Sequence, residues 1–395
     1  MAAAIHRLLT TLGDMKLTKI ALIGGFLGAG KTTLIGEIAQ RYRAAGKRVG
    51  IITNDQADDL VDTMNLRSQG FDVGEVSGAC FCCSFDHLVD TADQLIGEHQ
   101  PDLLLAEPVG SCTDLVATVV VPLKNLLGDR FELAPFGVLL KPSHGERILN
   151  SSRSARSSGF SAQAEYIFRK QIEEADYIMV GRRDQLDDQK FDQLTELISH
   201  AAPGVRVFGV SPTRGDGVDE VIGEIESPGV AGRRLLEIDY DTYAIGEAEL
   251  GWVNLAATWT PDNSVSQIDL NILVKSLVQG IADAAQVHGE IAHLKASAAA
   301  EQTRAVANVV ANAAEVDLGL AAGHQVSGDI DVIINARVAM DPDLLKTLCE
   351  ETLQRMSCEQ SVPGVGPGMI EISSAVSLRP GRPTPTHRFT TTTPQ

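Results

Sequence analysis

The sequence predicts an α/β fold: a mostly parallel sheet flanked by helices, with a smaller C-terminal α+β domain behind it. Over the first two hundred residues, short apolar runs alternate with segments of helical periodicity, as strand–helix–strand units do. A glycine-rich loop, residues 24–33, sits between the first such strand and the first such helix. Past Arg234 the pattern changes to strands interleaved with only two helices, which fits a separate α+β sandwich.

Ile20-Ala21-Leu22-Ile23 is short and apolar, the signature of a buried strand over 20–24. Leu34, Ile35, Ile38 and Ala39 then recur at helical spacing and predict a helix over 32–45. Further strands are predicted at 49–53, 103–106, 137–140, 177–180 and 205–210, with helices at 88–99, 161–174 and 189–200. Between Lys141 and Ser161, the Ser/Arg-rich stretch 151–159 has too little apolar content for a core and reads as a mobile loop or lid. The parallel-sheet domain thus spans 17–225, and 226–247, with its Ser227-Pro228-Gly229, reads as a linker. The second domain, 248–358, has strands at 252–259, 291–298, 304–311 and 330–338 and helices at 268–286 and 341–356. Residues 1–16 read as a disordered leader, with Met15 the expected start of translation, and 359–395 as a disordered Pro/Gly/Thr-rich tail.

A formal net charge of −19 argues against nucleic acid and anionic membrane as partners, because both recruit clustered cations. No apolar run reaches membrane-spanning length. Six cysteines, three of them within four residues, do not read as a secreted disulfide framework, so a reducing cytoplasm is the expected compartment.

The glycine loop contains G-x4-G-K-T, from Gly25 to Thr32, in the strand–loop–helix context that a phosphate-binding loop requires. The backbone of Gly25, Gly28, Ala29 and Gly30 can curl around a phosphate with little side chain in the way. Lys31 is placed to reach the terminal phosphates, and the Thr32 hydroxyl to ligate Mg²⁺ beside the positive end of the helix. The fold expected is therefore that of a P-loop NTPase. Strand 103–106 runs into Glu107-Pro108-Val109-Gly110. An acid at the end of the strand beside a phosphate loop meets Mg²⁺ or the attacking water, and the Gly110 backbone can approach a γ-phosphate closely.

Cys80-Phe81-Cys82-Cys83 is the second strong pattern. Thiols this close do not readily pair with one another, and thiolates are soft ligands for Zn²⁺ and similar ions. His87, Glu75 or Cys112 are candidates for a fourth ligand, and an open site is the alternative. His288 and His293 read as structural.

The wording Gly-Gly-Phe-Leu-Gly-Ala-Gly-Lys-Thr-Thr-Leu over 24–34, then C-x-C-C, then E-x-x-G, resembles the CobW-type GTPases, a metallochaperone group that includes UreG and HypB. By motif order the resemblance covers 17–225. It implies a nucleotide-dependent metal insertase or chaperone. Gly28, Gly30, Lys31, Thr32 and Thr33 would hold phosphates and Mg²⁺, Glu107 and Gly110 would sense the γ-phosphate, and Cys80, Cys82 and Cys83 would hold the metal. Asp184 would read the base, with Ser211 flanking it. The implied cofactors are GTP, Mg²⁺ and Zn²⁺ or Co²⁺, and the implied partner is a client metalloprotein or metal-cofactor enzyme, with a homodimer as the expected assembly.

Two segments depart from the family pattern. The base-reading loop is Gly181-Arg182-Arg183-Asp184, in which Gly181 cannot supply the usual side-chain hydrogen bond, so ATP stays open beside GTP. After the second strand stands Asn54-Asp55-Gln56-Ala57, where Asp55 keeps an acid for Mg²⁺. Asp58, Asp59 and Asp62 follow, one of them a further candidate for the ion. Other readings weighed were a nucleotide-gated metal sensor or scaffold with negligible hydrolysis, a divergent helper of a corrinoid enzyme, and a small-molecule kinase using the Arg153/Arg156 loop.

Overall fold

The structure, a computed structural model, describes residues 17–54, 61–151, 160–358 and 364–391. The first unit runs β1 (Thr18–Gly24), α1 (Lys31–Ala44), β2 (Val49–Asn54), α2 (Val61–Ser68), β3 (Asp72–Val76), α3 (Phe85–His99) and β4 (Leu103–Glu107). A π-helical turn, Val116–Val120, leads into α4 (Val121–Leu127), β5 (Phe131–Leu133), β6 (Gly137–Leu140) and α5 (Pro142–Ser151). Then come α6 (Ala162–Glu174), β7 (Tyr177–Val180), α7 (Asp188–Ala201), β8 (Arg206–Gly209), α8 (Val218–Glu226) and α9 (Tyr240–Ala248). Its strands form an eight-stranded sheet ordered β3-β2-β4-β1-β6-β7-β8, with β5 pairing β1. Every recorded pairing in it is parallel. Strands such as β2 and β6 are buried along their whole length, because helices cover both faces of such a sheet.

Parallel register aligns the strand ends that matter. Ala106 lies opposite Leu22, Glu107 opposite Thr53, and Val76 opposite Asn54. The glycine loop after β1, Glu107, Asn54 and the thiol loop after β3 therefore leave one edge of the sheet side by side, the edge at which open α/β sheets bind ligands.

The second unit runs β9 (Gly251–Pro261), α10 (Leu270–Ala285), β10 (Ile291–Ala300), β11 (Thr303–Val309), β12 (Asp317–Leu320), β13 (Ile330–Val338), α11 (Pro342–Cys358) and β14 (Gly368–Leu378). Its antiparallel sheet is ordered β12-β11-β10-β13-β9-β14. Leu255, Leu294, Ile334 and their neighbours on one face pack against Leu273, Leu277 and Ile281 of α10 and Leu345 and Leu353 of α11. By the two-residue period of a strand, the opposite face carries Trp252, Asn254, His293, Lys295, Asn335 and Arg337. That polar face covers the phosphate edge of the first unit. The Val61 backbone N–H donates to Asn335 Oδ1 (2.9 Å), Lys141 Nζ donates to the Val310 carbonyl (3.0 Å), and Val61 packs with Val306 and Ile333.

The Ser/Arg-rich stretch 151–159, beyond Ser151 at the end of α5, lies outside the described residues, as does the leader 1–16. Two expectations need correction. The segment read as a linker is docked: α9 is N-capped by Asp239, and Tyr243, fully buried, accepts a hydrogen bond from the Thr113 N–H. The tail read as disordered holds β14, which pairs with β9 from Gly368 to Leu378. The glycine- and proline-rich composition around it hid a strand whose Ile370, Ile372 and Ala375 pack on the second core. Beyond β14 the chain returns to the first unit.

Candidate nucleotide and metal site

The glycine loop closes on Lys31. Gly25 has φ +136°, and a Cβ there would sit 2.2 Å from the Leu139 carbonyl oxygen, so only glycine turns the chain at this point. Among the described residues, no side chain caps α1 and no acid stands in its first turn, so its first N–H groups are free for an anion. Lys31, buried, donates from Nζ to the Gly25 carbonyl (2.9 Å) and lies 3.9 Å from Glu107 Oε1. Thr32 Oγ1 donates to the same Glu107 oxygen (3.0 Å). Gly110 passes so near the loop that a Cβ would meet the Leu27 backbone at 2.9 Å, and Gln171 Nε2 pins this turn by donating to the Gly110 and Cys112 carbonyls.

These residues line a cavity of about 660 Å³ between the two units. Gly28, Ala29, Gly30, Lys31, Thr32, Thr33, Glu107, Gly110, Asp184 and Ser211 all reach it, so the structure brings together all but two of the sequence-predicted nucleotide and Mg²⁺ residues. Gly25 shapes the loop behind it, and Asp55 lies outside the described residues. Burial lowers the pKa of Lys31 and raises that of Glu107 to about 7, with their mutual attraction opposing both. An arriving phosphate and cation would restore the charged forms. At the far end Ser211 Oγ donates to Asp184 Oδ1 (2.6 Å) and accepts from the Asp184 N–H (2.9 Å), fixing the carboxylate. Arg182 holds a left-handed φ of +51° and lines the cavity, whereas Arg183 is turned back onto Phe191.

The thiols sit one loop away. Cys80, Cys82 and Cys83 occupy a turn closed by Cys83 and Ser84 N–H groups donating to the Cys80 carbonyl, at the entry to α3. Their sulfurs are 3.1, 3.4 and 3.8 Å apart, and the group within mutual ligating distance consists of these three. Hydrogen bonds from Cys112, Cys82 and Cys83 hold the Cys80 thiol far below its ordinary pKa, and the bond with Cys80 pushes Cys83 up to about 11. Of the three candidates for a fourth ligand, Cys112 contacts Cys80, while Glu75 pairs with Arg67 and His87 is not in the group.

Asn54, to which the sequence reading assigned no role, joins the two sites. It lines the cavity, donates from Nδ2 to the Val76 and Ala79 carbonyls (both 2.8 Å) and accepts from the Phe81 N–H (2.9 Å). It thereby clamps the entry of the thiol loop, from Val76 to Phe81. The one available signal was its place as the last residue of a strand beside the phosphate edge. The returning C-terminal segment covers the thiols: Thr386 N–H donates to the Cys82 carbonyl (2.8 Å), Thr384 N–H to Cys83 Sγ (3.3 Å), and His387 packs edge-on against Phe85.

A glycine loop after the first strand of a parallel sheet, with an acid ending the next strand, defines a P-loop nucleotide-binding domain. Residues 19–208 match the family described as CobW/HypB/UreG, nucleotide-binding domain. The chain is 38% identical over 97 residues to the zinc chaperone CobW of a Sinorhizobium species, covering 22% of this chain and 27% of that protein. It is 28% identical over 144 residues to the zinc chaperone YjiA of Escherichia coli K12, covering 35% and 45%. The chain thus spans about a quarter to a half of these curated relatives. The crystal structure of Zn(II)-bound YjiA GTPase from E. coli is 17% identical, covers 86% of this chain and 99% of that one, and superposes with a TM-score of 0.38. No helix among the described residues is long and apolar enough to cross a membrane.

Proposed function

We propose that the protein binds and hydrolyses GTP, and that turnover governs loading and release of a thiol-bound transition-metal ion, zinc foremost, to a client metalloprotein. The observation that carries this reading is Asn54, one side chain that lines the phosphate cavity and holds the thiol loop at Val76, Ala79 and Phe81. A change at the phosphates that moves Asn54 changes the spacing of the sulfurs, and with it their affinity for metal. The names of the curated relatives support zinc as cargo, and free thiols fit a reducing cytoplasm.

The donors suit Mg²⁺. Thr32, Glu107 and Asp62 offer hard oxygens, and Glu107 Oε2 is buried without a hydrogen-bond partner. When bound, the ion would supply charge neutralisation at the terminal phosphates. Lys31 would leave the Gly25 carbonyl to pair with phosphate oxygen, Gly110 would present its N–H to the γ-phosphate, and Glu107 would orient the water. Asp184, held by Ser211, would accept the guanine N–H groups.

One purified sample tests this. Turnover of GTP and ATP and bound zinc are measured for the wild type, Lys31→Ala and the Cys80/Cys82/Cys83 to Ser triple variant. Lys31→Ala should abolish turnover and keep zinc, and the triple variant should lose zinc and keep nucleotide binding. Unchanged zinc in the triple variant removes the metal reading. Nucleotide binding without phosphate release, with zinc present, leaves a sensor in place of a GTPase.

A further inference from the structure

Near Thr32 the phosphate cavity holds a lysine that its loop does not supply. Around Thr32 stand Lys31 from the glycine loop, Glu107 from the end of β4, Asp62 from α2 and Lys295 from β10 of the second sheet. The Lys295 ammonium donates to Asp62 Oδ1, with only 14% of its side chain exposed. Asp62 also interacts with Thr32, whose hydroxyl donates to Glu107 and is the group that the loop motif offers to Mg²⁺. An ammonium bound to a carboxylate that touches this hydroxyl stands where a divalent cation would act on both. The other charged or titratable groups coupled to the pair are Lys31, Glu107 and His293; among them Glu107 keeps one oxygen without a partner.

We propose that Lys295 is a built-in counter-ion that stands in for Mg²⁺ in the nucleotide-free pocket and competes with the incoming ion for Asp62. The inference rests on the nucleotide-binding reading and adds a positioning residue from outside the nucleotide-binding domain. Around Thr32, Lys31 stands beside Glu107 and Lys295 beside Asp62, so each buried acid has a cation partner. A Mg²⁺-bearing triphosphate brings its own positive charge to Asp62 and terminal oxygens to which the displaced ammonium can turn. Loading would then release the charged tie between α2 and β10, and the second sheet would sense the occupied pocket.

The full-length chain tests this with a fluorescent GTP analogue, bound first in excess chelator and then during a Mg²⁺ titration. Lys295→Met, which removes the competitor, should lower the Mg²⁺ concentration for half-effect about tenfold, the consequence of deleting one unit charge beside a cation site. Lys295→Arg keeps the charge and should leave it near the wild-type value, while Asp62→Asn should raise it. A readout without nucleotide runs in parallel: Mn²⁺ binding to the bare protein, followed by electron paramagnetic resonance, should tighten in Lys295→Met. A half-effect concentration that is unchanged or higher in Lys295→Met, with nucleotide binding intact, overturns the inference alone. Failure of the wild type to bind the analogue in either condition overturns the nucleotide reading with it.

Discussion

At the scale of single residues, the base-reading loop is the plainest departure from the family pattern, and its geometry says how the departure is tolerated. A Cβ on Gly181 would rest 3.4 Å from the Leu140 carbonyl and 3.5 Å from the Ala29 carbonyl, ordinary contact distances. The missing side chain is therefore not excluded by crowding. In Gly181→Asn the new amide could donate to Ala29 in the phosphate loop and to the base. One added hydrogen bond is worth about 1 kcal/mol, so GTP affinity should rise by roughly fivefold, with ATP affinity changing less. Competition binding of the two nucleotides checks this, and equal gains for both would contradict the assignment of Asp184 to guanine. The residues legible in sequence were those whose chemistry is local: Gly28 to Thr33, Glu107 and the three cysteines each sit in a short pattern with one function. Lys295 was not legible. It lies on the polar face of an amphipathic strand, which in an isolated domain faces water, and nothing in the pattern says that another sheet covers it.

At the scale of elements, α1 and α10 were readable because one buried face imposes its period on the sequence, and β13 because it is a short run buried almost throughout. β3 was not: within Asp72–Val76 only Val76 is fully buried, so an edge strand left no alternation to read. α2 is short and polar, docked by Val61 and by the acid that meets Lys295. The segment after β14 was missed for a different reason. Its prolines and threonines suit an extended strap held by backbone hydrogen bonds, which composition alone cannot tell from disorder. Besides the contacts to the thiol loop, Arg388 pairs with buried Asp114 (2.7 Å) and the Phe389 N–H donates to the Ala117 carbonyl (2.9 Å). Ending the chain at Arg379 should therefore raise the rate of Cys83 alkylation by iodoacetamide by about tenfold or more, the gain expected when a cover worth ~1.4 kcal/mol is removed. The melting temperature confirms that the truncated chain is folded; an alkylation rate equal to that of the full chain would mean that the strap does not shield the sulfur.

At the scale of the whole molecule, two sites share one wall. Phosphate loop, Glu107, Asn54 and thiol loop leave the same sheet edge in neighbouring register, so coupling needs no long path. Coupling free energies between sites are typically about 1–3 kcal/mol, or roughly 5–150-fold in affinity. Zinc affinity should then differ by at least about fivefold between GTP- and GDP-loaded protein. Asn54→Ala should collapse that difference toward unity while leaving the three thiols in place. Zinc titrations in the presence of each nucleotide decide the point, and a ratio that survives the substitution would assign the coupling to another contact.

The second sheet is not a bead on a string. The chain enters it at Gly251, leaves it at Leu378, and these ends are neighbours, Leu378 lying opposite Trp252 in the β9–β14 pair. Arg379, the next residue, donates from its guanidinium to the Ala248 carbonyl (2.6 Å), fastening exit to entry. Both crossings thus stand on one post. The facing side is held by separate contacts, Lys295 with Asp62, the Val61 N–H with Asn335 and Lys141 with the Val310 carbonyl, so the sheet is fastened both where the chain crosses and across the cavity it covers.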